Sequence, residues 1–103
     1  MSVDLDSTLI RRARSAVTME EMAVFVKTLE QRPVCTLLEE LPEIARLSDT
    51  KFSLALTTLR RRFRGEAPMD QLQLRATAWE IAKGVDDRNT ADRIRGIFTL
   101  EHA

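Results

Sequence analysis

Apolar residues in this chain return every three or four positions, and no window sustains an every-second-residue alternation. On a coil of 3.6 residues per turn that spacing gathers the apolar groups into one stripe; on a strand it would scatter them over both faces. Residue choice agrees. Leu, Ala, Arg, Glu and Met are plentiful, Tyr is absent, and Gly and Pro occur three times each, too rarely to break the chain into short strands. With 103 residues, 44% of them apolar, the chain can bury one core. The expectation is a single all-α domain over residues 1–103: a compact bundle of five to seven short helices or helical hairpins, with no β-sheet.

The punctuation divides the pattern into segments. Residues 4–16 align Leu5, Leu9, Ile10, Ala13 and Ala16 on one face, with Asp4 and Asp6 at the end where carboxylates suit the helix dipole. Thr18-Met19-Glu20-Glu21 fits a capping box, and Val17 and Met22 stand where a hydrophobic staple would place them. The helix that follows runs to about Gln31 with Met19, Met22, Val26 and Leu29 as its stripe, widened by Phe25. Pro33 opens a third segment, Val34 to Leu41. Pro42 disfavours helical angles at the residue before it, so the spacing predicts a break there and a new short helix through Glu43, Ile44, Ala45 and Arg46.

Ser48, Asp49 and Thr50 supply caps for the next helix, whose inner face is Phe52, Ala55, Leu56, Leu59 and Phe63. Gly65 fits the left-handed position just past a helix end, with Pro68 close behind. Pro68 begins a helix that aligns Met69, Leu72, Ala76, Trp79 and Ala82, flanked by Ile81, and Gly84 ends it. Asp86, Asp87 and Asn89 offer caps for a last helix carrying Ala91, Ile94, Ile97 and Phe98 to about Leu100, weakened by Gly96. The predicted core is Leu9, Met22, Val26, Leu37, Leu41, Ile44, Phe52, Leu56, Leu59, Phe63, Leu72, Trp79, Ile94 and Phe98. A faint echo joins two segments: Glu43-Ile44-Ala45-Arg46 followed by Asp49, and Glu80-Ile81-Ala82-Lys83 followed by Asp86, each ahead of a helix.

Chemistry is sparse. His102 is the only histidine and Cys35 the only cysteine, so neither a zinc set nor an internal disulfide can be assembled, and the expected thiol is buried and inert. Gly65, Gly84 and Gly96 stand alone, which leaves no phosphate loop or dinucleotide fingerprint. No catalytic residue, metal or cofactor is expected, and no small-molecule substrate is evident. No apolar run nears the ~18 residues a membrane span needs, and the acidic start MSVDLDSTLI lacks the basic-then-apolar order of a signal peptide, so the expected compartment is the cytoplasm.

The densest feature is Arg60, Arg61, Arg62 and Arg64 around Phe63. Three readings stay open. The arginines end a helix, where cations meet exposed carbonyls at ~0.3–1 kcal/mol each. They meet acidic groups, in the chain or on a partner, with Glu39, Glu40 and Glu43 as candidates. Or they hold phosphates. Sixteen basic residues balance sixteen acidic ones, so a nucleic-acid contact would have to come from a local patch.

The string Ile44-Ala45-Arg46-Leu47-Ser48, with Phe52-Ser53 and then Arg62-Phe63-Arg64, resembles the DNA-binding half of AraC-type regulators over about a fifth of the chain. The resemblance implies a helix-turn-helix over residues 41–64. It departs at the glycine–proline punctuation, which falls about one turn late at Gly65 and Pro68. The start of the second helix also offers Lys51 and Ser53 but no Arg, Asn or Gln to read bases. The functional expectation is a non-enzymatic protein acting through another protein, of the adaptor or regulatory-antagonist type, with a homodimer as a companion state. Arg60, Arg61, Arg64, Met19 and Met22 are its candidate contact residues, and DNA binding is the alternative.

Overall fold

The computed structural model describes residues 8–97. Six α-helices occupy them and no strand is present among the described residues: α1 (Thr8–Ser15), α2 (Met19–Gln31), α3 (Val34–Leu47), α4 (Asp49–Arg64), α5 (Pro68–Lys83) and α6 (Arg88–Gly96). The all-α bundle read from the spacing is therefore the fold. Asp4, Leu5 and Asp6 at one end, and Phe98, Leu100 and His102 at the other, lie outside the described residues.

Local chemistry sets most boundaries. The capping box closes as its sequence implies: Thr18 Oγ1 accepts from the Glu21 amide at 3.1 Å, and Glu21 Oε1 accepts from the Thr18 amide at 3.0 Å. The Val17 amide donates to the same carboxylate oxygen at 2.9 Å. The staple does not close, because Val17 stays 81% exposed. Ser48 is the whole of the connection between α3 and α4. Its amide donates to Ile44 O at 3.0 Å, and its hydroxyl accepts from the Lys51 amide at 3.2 Å. Asp87 caps α6 by accepting from the Thr90 amide at 2.9 Å.

Two boundary expectations are corrected. α3 does not break at Pro42 but runs through it. A proline inside a helix forfeits one hydrogen bond and costs about 3 kcal/mol. Leu37, Leu38, Leu41 and Ile44, on both sides of it, are fully buried, and each such side chain is worth roughly 1.5–3 kcal/mol. Burial therefore outweighs the local penalty. Gly65 is not left-handed: φ is −89° and ψ −1°. α4 tightens instead into i→i+3 bonds, Gly65 N–H to Arg62 O and Glu66 N–H to Phe63 O, both 3.0 Å, and Gln71 Nε2 donates to Phe63 O at 3.1 Å. A Cβ at Gly65 would meet only Arg62 O at 3.5 Å, an ordinary contact, so this position does not demand glycine.

The helices pair in chain order, α1 with α2, α3 with α4, α5 with α6, and α3 sits at the centre against α1, α4, α5 and α6. The core confirms Leu9, Leu37, Leu41, Ile44, Phe52, Leu59, Phe63 and Ile94, while Met22 and Leu56 pack half-buried against it and Val26 is half-buried. Two faces are turned from expectation. In α2 the buried line is Phe25, Thr28 and Leu29, and Met19 is 86% exposed. Thr28 can face inward because its hydroxyl is satisfied there: it donates to Val24 O at 2.9 Å and accepts from the Arg12 guanidinium at 2.6 Å.

In α5 the buried line is Leu74, Ala78 and Ala82, so Leu72 and Trp79 are not core. Ala78 and Ala82, four residues apart, let the neighbouring backbones approach, which a line holding Met69 and Trp79 would not allow. The echo segments both end a helix and both carry an i,i+3 ion pair, Glu43–Arg46 at 2.8 Å and Glu80–Lys83 at 3.3 Å. They bury different members, Ile44 in one and Ala82 in the other, so the two copies are rotated relative to the core.

Two measurements check this account. Pro42→Ala restores an amide to the middle of α3 and should raise stability by roughly 1–3 kcal/mol in urea unfolding; a loss would mean that the ring is held by packing instead. The amides of Thr18 and Val17 hold the Glu21 carboxyl below its ordinary value of 4.5. A depressed folded-state value means that the stability it confers is complete above 4.5 and fades as pH falls through the lower folded value. Glu21→Gln should therefore flatten part of the acid limb of the stability–pH curve below 4.5 and leave the neutral limb parallel to wild type.

Candidate interaction surfaces

The arginine cluster at the end of α4 has no common task. Arg62 is half-buried and reaches across to α2, donating to Leu29 O at 2.9 Å and Arg32 O at 2.6 Å. It thus satisfies carbonyls that a helix end leaves without intrahelical partners. Arg61 pairs with Glu30 at 2.8 Å with both side chains well exposed, a contact worth at most ~1 kcal/mol. Arg60 and Arg64 are exposed and make no hydrogen bond or ion pair among the described residues.

Of the acidic residues expected opposite them, Glu40 and Glu43 are engaged elsewhere and Glu39 is exposed. Glu40 takes a two-point contact from Arg32, Nε to Oε1 at 2.9 Å and Nη2 to Oε2 at 2.6 Å. Glu43 lies 2.8 Å from Arg46 and 3.9 Å from Arg14. Met19 and Met22 do not join the arginines. They sit in the first turn of α2, whereas Arg61 meets that helix at Glu30, eleven residues on, about 16 Å along the axis. Met22 is moreover half-buried against the core.

The stretch drawn as helix-turn-helix has its own geometry. Glu43–Leu47 forms the last turns of α3, not a separate helix, and the turn is Ser48 alone. The start of α4 is committed to the fold. Lys51 is buried, and its Nζ donates to Ala13 O at 2.6 Å, next to the end of α1. Ser53 accepts from Arg93 at 2.7 Å, and Asp49 pairs with Arg93 at 2.7 Å. Arg93 also stands 4.8 Å over the Phe52 ring. The groups that would face base edges are therefore tied to α1 and α6.

Cys35, in the first turn of α3, is exposed rather than buried. It lines a groove of about 390 Å³ with Arg62, Glu66, Asp70 and Gln73. Among the described residues no three His, Cys, Asp or Glu side chains gather as a metal set would, and no helix is long and apolar enough to cross a membrane.

The outer face of α5, whose spacing predicts a core stripe, is exposed instead. Met69 is 76%, Leu72 59% and Trp79 51% exposed, and Ala76 between them is exposed too. These positions follow the three-four-three spacing of one stripe, on the side of α5 opposite Leu74 and Ala78. Trp79 is held at its rim by Arg95, whose guanidinium stands 5.2 Å over the ring and also pairs with Asp92. The signal was present in the sequence: α5 carries two apolar lines, and a helix on the surface of a bundle can bury only one.

Substitution separates the arginines. Arg62→Ala should lower stability by roughly 1–3 kcal/mol, the cost of two charged hydrogen bonds to a helix end, whereas Arg60→Ala and Arg64→Ala should stay within about 0.5 kcal/mol of wild type. Thermal unfolding of the three variants decides it, and equal losses would mean that the cluster acts as one structural unit. No protein-family model matches the chain, and comparisons with curated proteins and with solved structures find no match either.

Proposed function

We propose that this protein acts without catalysis, by binding another protein chain through the outer face of α5, in the manner of an adaptor or regulatory antagonist. The observation that carries the reading is the exposed line Met69, Leu72, Ala76 and Trp79. A helix that already buries Leu74, Ala78 and Ala82 gains nothing within the fold from a second apolar stripe. Exposed apolar groups arranged as one contiguous line, and not scattered, mark contact surfaces. Trp is the residue type most enriched among those that dominate binding energy, and Met adapts its shape to a partner. Arg60, Arg61 and Arg64, with Met19, are then peripheral charges and contacts that bias partner choice and encounter rate more than affinity.

DNA binding is the second reading. Exposed Arg60 and Arg64 favour it, and the engagement of Lys51 and Ser53 within the fold weighs against sequence-specific recognition.

The test is recovery from native lysate together with mass determination in solution. The full chain should retain a stoichiometric protein chain, a second copy included. Leu72→Glu and Trp79→Glu should abolish that while keeping wild-type helicity, since both side chains already face water. Retention of nucleic acid that salt strips away, lost on Arg60→Ala with Arg64→Ala and unaffected by the α5 variants, would overturn the proposal in favour of DNA.

A further inference from the structure

We propose that the chain seated on the outer face of α5 is the α5 of a second copy, the two helices running parallel about a two-fold axis. This rests on the protein-binding reading above and names its partner. Met69, Leu72, Ala76 and Trp79 fall at the a, d, a and d positions of two successive heptads, the spacing of a seam between two helices. In that register Arg75 flanks the seam on one side, at g, and Glu80 on the other, at e.

A parallel pair sets each g residue against the e residue five positions on in its partner, so Arg75 meets Glu80 of the partner subunit, twice by symmetry. An antiparallel pair would set arginine on arginine and glutamate on glutamate. The flanks are thus self-complementary in one orientation only, and charges at these positions choose partner and direction.

The state of the two flanking residues within the chain fits this assignment. Arg75 makes no hydrogen bond or ion pair among the described residues, and its Nε is shielded from solvent without an acceptor. Glu80 is exposed, with a single contact among the described residues, to the exposed Lys83 at 3.3 Å. Ala76 in the middle of the seam lets the two backbones approach, and Leu72 and Trp79 on either side of it each meet their own symmetry mates. The seam from Met69 to Trp79 is only about 15 Å long, so the dimer belongs to the small, reversible class of interfaces.

The experiment is sedimentation of the full chain over roughly a hundredfold range of concentration, reaching the millimolar region that weak association requires. Wild type should pass reversibly from monomer to dimer. Trp79→Glu should remain monomeric, with unchanged helicity. Arg75→Glu and Glu80→Arg should each weaken association by about tenfold or more, since each sets like charges together at both flanks. An equimolar mixture of those two variants should recover wild-type association as a heterodimer. In a Cys35→Ser background, Ala76→Cys should form an intermolecular disulfide with its own copy under mild oxidation, as facing a positions allow. A dimer that instead crosslinks only when Leu72→Cys and Ala76→Cys chains are mixed is antiparallel and overturns the assignment. Monomer at every concentration overturns it as well. If that monomer still retains a different protein through Leu72 and Trp79, only the identity of the partner falls; if it retains none, the protein-binding reading falls with it.

Discussion

Four side chains of α3 hold the bundle together. Leu37, Leu38, Leu41 and Ile44 are each fully buried, on a helix that touches α1, α4, α5 and α6. A surface helix needs one apolar stripe; a central one needs apolar groups around much of its girth. The adjacent pair Leu37–Leu38 leaves the helix in directions about 100° apart, so burying both widens the covered face beyond one stripe. The same requirement explains why α3 survives Pro42. Breaking the helix would uncover leucines on one side of the proline or the isoleucine on the other, and no local relief of strain compensates for that.

Around this hub, α4 fastens the first hairpin at both of its own ends. Lys51, in its first turn, donates to Ala13 O by the end of α1, and Arg62, in its last, donates to Leu29 O and Arg32 O at the end of α2. Both contacts put a cation where helix carbonyls and dipoles are negative. They join residues thirty or more positions apart, so they fix the placement of α1 and α2 and not merely their length.

What could be read from the sequence was what depends on a few neighbouring residues. Thr18 with Glu21, Ser48 before Lys51 and Asp87 before Thr90 are local chemistry, and each cap formed as its letters imply. The inner face of α4 was legible because Phe52, Ala55, Leu59 and Phe63 have no competing line. α5 was not, because size argued for Met69, Leu72 and Trp79 while close approach of backbones favoured Leu74, Ala78 and Ala82, and only the position of the neighbours decides between them. Likewise the exposure of Arg60 and Arg64 could be expected from their helix, but the task of Arg62 depends on where α2 stops. Met22, expected both in the core and as a contact residue, lies between the two: it packs half-buried beside Phe25 and Leu29.

The single residue between α3 and α4 ties the fates of the two helices that bury the most side chains. Ser48 closes the last turn of one with its amide and opens the next with its hydroxyl and carbonyl, so a change in its backbone angles releases both termini together. Helix ends elsewhere in a protein fray one at a time; here the ends are shared, and α3 and α4 form a cooperative opening unit. Slow amide exchange should therefore run unbroken across the junction, and the adjoining hairpins, α1 with α2 and α5 with α6, are the parts free to loosen first around it.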